Sequence, residues 1–276
     1  MTWIELSLIG GCLQAARNGL SKSLAGKVSP VLNSWSRFTF NLPLSTLLML
    51  SLLFYVGKPT LPLPFFLYCL ATAITQLLGN VALVSAFNHA NFAETIVLHK
   101  LEVVFTAVIG VLFFTETPTL FGWTGIVLCG AGVLLVNLGR ESGPAGWKRA
   151  FHLGTGSLLA LTCGLLLVLA SFMLKSASAE YVLANAHIGA NRFEPAVHTL
   201  FHTTWMEVAI LTVTILSTRP NEFRLVQTHW KRMAMIGAVS FSGSLCWFWA
   251  YSLTLVAYSK AVGQIEAVLE VLLALF

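Results

Sequence analysis

Successive apolar stretches, each long enough to cross a bilayer and separated by short polar breaks about 25 to 35 residues apart, dominate this sequence. A backbone immersed in hydrocarbon must satisfy its own hydrogen bonds, which leaves helices as the solution for runs of this kind. Spans are expected at 3–24, 31–56, 62–87, 91–115 and 119–138, and beyond a polar loop at 153–175, 196–217, 233–257 and 259–276. Charged residues make up only 10% of the 276 and apolar ones 57%, far from the roughly 25% charged of a soluble domain. No soluble domain fits between the spans. The chain opens Met-Thr-Trp-Ile-Glu and has no cation before Arg17, unlike a secretory leader with its basic start, so the first stretch reads as the first spanning helix.

The polar loop around Gly139 to Arg149 divides the chain into halves that repeat one another. Leu20-Ser21-Lys22-Ser23 corresponds to Leu174-Lys175-Ser176, and Ser36-Arg37-Phe38 to Asn191-Arg192-Phe193, both at an offset close to 154. Lys100-Leu101-Glu102-Val103-Val104 corresponds to Gln264-Ile265-Glu266-Ala267-Val268 at an offset of 164. The expected architecture is an all-α membrane protein built as an inverted repeat of two five-helix bundles, residues 1–139 and 153–276 joined by a loop at 140–152. An odd number of helices per half makes the second half enter the membrane from the opposite side. About nine of the ten expected helices are present, and the tenth is expected beyond Phe276, as in a partial sequence.

The chemistry concentrates where charge falls inside apolar runs. Glu102 lies about 10 residues into the fourth expected span, near the bilayer midplane at about 1.5 Å per residue. A carboxylate there costs on the order of 3 kcal/mol or more, and such groups face a bundle interior or wet cavity on a substrate or proton path. The bland alternative is a packing role through an ion-pair partner. Glu94 shares a broad face with Glu102, whereas Lys100 turns away by the helical period and should meet another helix or an anionic substrate group. Glu266 and Glu270 stand at i,i+4, close enough to raise one of their pKa values and offer a proton-exchange site. Asn80 is a candidate donor at similar depth, with an interhelical bond as its plain role. Trp247 and Tyr251 lie too deep for an interfacial belt and could line a cavity, stacking on a solute, or simply pack. Lys22, Arg37, Lys175 and Arg192 are candidate gates or snorkelling anchors.

Other classes find less support. The five cysteines lie in apolar runs without CxxC spacing, which favours neither a disulfide framework nor structural zinc. His198 and His202 at i,i+4 lack further ligands, so no metal site is expected, and no Walker or Rossmann pattern calls for a cofactor. The net charge of +5 suits a membrane surface better than nucleic acid. A membrane-embedded enzyme would need a polar catalytic cluster near an interface. A non-transporting partner subunit would carry intramembrane charge without repeat symmetry, which Glu102 and Glu266 argue against.

Arg37-Phe38 opening the second span, the mid-span Glu102, the run Phe113-Phe114-Thr115-Glu116 and the Gly-rich stretch from Trp123 through Gly125, Gly130 and Gly132 together resemble the EamA family of the drug/metabolite transporter superfamily. The resemblance implies a ten-helix exporter or permease of small metabolites, amino-acid-like or drug-like, in the bacterial inner membrane. It would work by alternating access, with proton coupling as a candidate, and be neither an enzyme nor cofactor-dependent. The partners implied are a small-molecule substrate, protons and the lipid bilayer. It also implies an N-terminus inside the cell, whereas the positive-inside rule, applied to a cation count favouring the odd loops, puts it outside.

Overall fold

The computed structural model describes residues 1–89, 95, 98–140, 154–186 and 192–273. Local chemistry sets where several helices begin and end. Helix α1 (Trp3–Leu24) starts at a capping box: the Thr2 hydroxyl accepts from the Glu5 N–H at 3.3 Å while the Glu5 carboxylate accepts from the Thr2 N–H at 2.8 Å. Helix α2 (Pro30–Val56) is capped by Ser29 with Pro30 in its first turn, where a missing N–H costs nothing. It stops at Gly57, whose φ of +97° an L side chain would resist. There follow α3 (Leu63–His89), α4 (Glu102–Phe113), α5 (Leu120–Arg140), α6 (Thr155–Ala184) and α7 (Phe193–Thr218). A short turn leads to α8 (Arg224–Leu253), α9 (Val256–Val262) and α10 (Ile265–Leu273).

This is an all-α membrane fold. Helices α2, α3, α6, α7 and α8 are long and apolar enough to cross a membrane, and α4 and α5 add shorter apolar segments. The 22-residue α1 is diluted by Gln14, Arg17 and Asn18, and the last two are buried in the interior. The distribution is that of a protein in lipid: Phe54, Phe113, Phe121 and Leu128 are exposed on the outside, whereas Arg37, Asn80, Lys100, Glu102 and Glu266 are buried.

Packing joins the two halves of the chain. Helix α1 lies against α8, α2 against α7 and α3 against α6, while α4 meets α9. Exchanging α1 with α6, α2 with α7 and α3 with α8 turns the first three of these pairs into themselves, as a twofold relation requires.

Four spans depart from their expected limits. Helix α6 continues to Ala184 rather than ending at 175, and α8 covers Arg224–Leu253 rather than 233–257. More consequentially, neither 91–115 nor 259–276 is one continuous helix. Turns at Lys100-Leu101 and Gly263-Gln264 interrupt them, so Glu102 and Glu266 stand in the first turns of α4 and α10 rather than midway along a span.

Candidate functional site

The site begins with those two interruptions. At the first, the Leu101 N–H donates to the Leu98 carbonyl at 3.2 Å and the Val103 N–H to that of Lys100 at 3.4 Å. At the second, the Gln264 N–H donates to Ala261 at 3.2 Å, the Glu266 N–H to Gly263 at 3.0 Å and the Ala267 N–H to Gln264 at 2.9 Å. These are three-residue closures of the 3₁₀ type inserted into α-helix, a local tightening that re-aims the following segment. Irregular backbone at membrane depth is tolerated only where protein or a cavity covers it. Glycines supply the cover. A Cβ on Gly164 of α6 would sit 2.9 Å from the His99 carbonyl oxygen, and one on Gly11 of α1 would sit 2.8 Å from that of Gly263. The offset of 164 that relates Glu102 to Glu266 also relates His99 to Gly263 and Lys100 to Gln264. Each interruption is therefore roofed by a glycine from the first helix of the other half.

Two ion pairs cross between the interrupted helices. Lys100, in the first turn, pairs with the Glu266 carboxylate. Lys260, on α9, donates to Glu102 Oε2 at 2.8 Å. All four residues are at most 5% exposed. Glu266 also accepts from Gln14 Nε2 at 2.9 Å and Asn18 Nδ2 at 3.1 Å. The Asn18 amide oxygen in turn accepts from Arg17 at 2.6 and 3.0 Å. A buried pair of this kind gains little over an apolar replacement, yet costs several kcal/mol to break by removing one partner.

Beside these pairs lies a cavity enclosing about 530 Å³ of empty space, its open mouth included. Gln14, Arg17, Arg37, Gln76, Glu102 and Lys260 form its polar wall, and Leu174, Trp247, Phe248 and Tyr251 contribute its apolar one. Asn80 stands behind Arg37: its amide oxygen accepts from the guanidinium at 2.5 Å, and its NH₂ donates to Ser34 at 2.8 Å. Arg37 is thus a buried cavity residue well inside α2, not a snorkelling anchor.

The remaining candidates divide. Lys22 donates to the Phe87 carbonyl near the end of α3 at 2.7 Å, and Lys175 donates to the Thr254 carbonyl just past α8 at 2.7 Å. Both place a cation at the negative end of a helix. Lys175 additionally pairs with Glu116 at 2.5 Å, whose other oxygen accepts from the Val256 N–H at 2.9 Å. Arg192 is exposed at the start of α7 and joins neither contact. Glu94 and the side chain of Glu270 lie outside the described residues.

Arg17, Gln14, Asn18, Glu207 and Lys260 did not stand out in the sequence. Arg17 and Glu207 sit inside apolar runs and are buried, so the depth argument applied to Glu102 would have found them. Lys260 lies at the start of the span expected from 259, where a cation draws no notice, whereas α8 ends at Leu253 and α9 carries Lys260 into the interior.

A model described as the EamA-like transporter family matches residues 2–138. No curated protein matches the sequence significantly. A solved structure, titled only as the crystal structure of a protein, shares the fold with a TM-score of 0.63 at 16% identity, covering 97% of this chain and 86% of that one.

Proposed function

We propose, from the premise that this chain belongs to the EamA-like transporter family, that it carries small organic solutes across the bacterial inner membrane by alternating access of the cavity between its halves. Membership points to a membrane transporter rather than an enzyme. The observation that carries the finer reading is the position of the cavity: it opens beside the two interrupted helices, where Glu102 and Lys260 from opposite halves meet on its wall. Binding at a repeat interface beside discontinuous helices is how transporters of inverted-repeat design couple a solute to rocking of one half against the other.

In this reading residues 1–139 and 153–276 are the two moving repeats. Lys22 and Lys175 act as gates, tying helix ends together when a side is closed. The solutes are amino-acid-like or drug-like in size, and lipid is the surrounding partner. Glu102 and Glu266 are the proton-exchange sites: protonating either one releases a lysine of the other half and loosens the contact between them.

Uptake or efflux of a metabolite panel in proteoliposomes, with and without a pH gradient, tests this. Saturable, protein-dependent flux is expected. Exchanging the charges, Lys260→Glu with Glu102→Lys, should retain more flux than either single change. Glu102→Gln should flatten the pH profile, and an unaltered profile would sink the proton-exchange role. Absence of saturable flux for every solute class from folded protein would sink the transport reading itself.

A further inference from the structure

Trp247 lies between the cavity and the second helix interruption. It lines the cavity together with Phe248 and Tyr251, and its ring stands 5.5 Å from that of Tyr251, tilted by 30°. The rest of the indole meets two glycines. A Cβ on Gly263 would overlap Trp247 Cη2 and stand 2.9 Å from Cζ2, and a Cβ on Gly10 of α1 would stand 3.3 Å from Cε2 and Nε1. Gly263 has a φ of −68°, which any residue adopts. What requires glycine there is the room that the ring takes. The indole thus rests against the turn itself, with no side chain in between.

Packing holds the indole in place. Its Nε1 is buried without a hydrogen-bond partner among the described residues, whereas a buried tryptophan N–H ordinarily finds one. A ring held by contact alone shifts without breaking a hydrogen bond. The turn it rests against lies midway between the two ion pairs. Lys260, three residues before Gly263, holds Glu102, and Glu266, three residues after it, holds Lys100. A displacement of this turn reaches both contacts between the halves. The first interruption is built differently: at the offset of 164, Leu83 stands in the place of Trp247 and His99 in that of Gly263. Large ring and bare backbone belong to the second interruption.

We propose that Trp247 transmits occupancy of the cavity to this interruption: a solute whose aromatic body bears on the indole presses it against Gly263, and the turn carries Lys260 and Glu266 with it. This rests on reading the cavity as the transport site and names the residue that couples solute binding to movement of the halves. A solute moves such an equilibrium only by contacting its two states differently. The indole, placed between solute and turn, supplies that difference. A solute without an apolar body can enter the cavity yet leaves the ring where it is.

Proteoliposome flux of phenylalanine, phenylpropionate and phenylethylamine, one aromatic body with three head groups, tests this beside the metabolite panel. Trp247→Phe keeps an aromatic face on the cavity and removes the ring atoms that lie against Gly263. The maximal rate for whichever of the three is carried should fall about tenfold, the effect of a residue on a coupling route, while KM changes less than about threefold. Gly263→Ala alone should slow flux, because its methyl overlaps the indole. Added to Trp247→Phe, the same methyl fills vacated room and should raise the maximal rate at least about threefold over Trp247→Phe. In unsubstituted protein labelled with 5-fluorotryptophan, the carried solute should move the same fluorine resonance that Gly263→Ala moves. A raised KM at unchanged maximal rate makes Trp247 cavity lining only and overturns the proposal. So does a double variant no faster than Trp247→Phe, or a solute and Gly263→Ala moving different resonances. Saturable flux of other panel members but none of the three would overturn it while leaving the transport reading intact. No saturable flux of any solute from folded, unsubstituted protein removes both.

Discussion

Lys100 with Glu266 and Lys260 with Glu102 are chemically the same contact, a lysine from one half on a glutamate from the other, in different surroundings. Glu266 is fully buried, accepts from three side chains and does not line the cavity. Glu102 and Lys260 both face the cavity, and Lys260 is the described side chain that donates to Glu102. The first pair opens only on protonation of Glu266, because opening it with both groups ionised would strand two charges away from any solvated space. The second borders a space that water or a solute can occupy, so its partners can be replaced as it opens. Near-symmetry of sequence has thus yielded a fastening on one side and an exchangeable contact on the other, and their position relative to the cavity is what separates them.

The largest expected effect is at the fastening. Glu266→Gln leaves Lys100 buried without its counter-charge and should destabilise the protein by about 3–5 kcal/mol, read from thermal unfolding in nanodiscs. Adding Lys100→Met should recover much of that loss, because the stranded charge is removed with its partner. A double variant no better than the single would show that the Gln14 and Asn18 contacts dominate instead.

Next come the glycine roofs. Gly11→Ala and Gly164→Ala each push a methyl to within 2.9 Å of a carbonyl oxygen, and overpacking of that kind costs roughly 1–3 kcal/mol. Equal losses would mark the two helix interruptions as mechanically equivalent. A loss confined to Gly11→Ala would extend the asymmetry of the ion pairs to the backbone beside them.

The smallest stability effect belongs to Glu102→Gln. With the cavity able to hydrate Lys260, the loss should be about 1–2 kcal/mol, that of a charged hydrogen bond, while solute flux falls. If its unfolding shift equalled that of Glu266→Gln, the distinction between fastening and exchangeable contact would fail.

Much of this is legible in the sequence. Hydropathy and the obligation to satisfy backbone groups in lipid lead to an all-helical membrane fold, and Glu102 was conspicuous because a carboxylate inside an apolar run needs a reason. Asn80, Trp247 and Tyr251 were singled out on depth, and they stand beside or on the cavity wall. The interruptions at Lys100-Leu101 and Gly263-Gln264 left no such mark. Neither contains proline, and Lys100 read as an ordinary helical position turned away from Glu102. Arg17 and Glu207 were open to the same argument as Glu102. Lys260 and Arg37 fall near the starts of their expected spans, where a cation reads as an anchor, because helix ends are the least well specified part of an apolar pattern.

What the sequence determined alone follows from solvent: residues that must avoid water, spaced at the thickness of a bilayer, leave helices as the solution, and the recurrence of Glu102 at Glu266 ties the halves to a common pattern. Which charge meets which was decided by tertiary structure. The partner of Lys100 lies 166 residues away and that of Lys260 lies 158 residues away. No local periodicity encodes such distances. They arise because α1 packs on α8, α3 on α6 and α4 on α9, and a charge in a low-dielectric interior is stable only where that packing delivers its opposite.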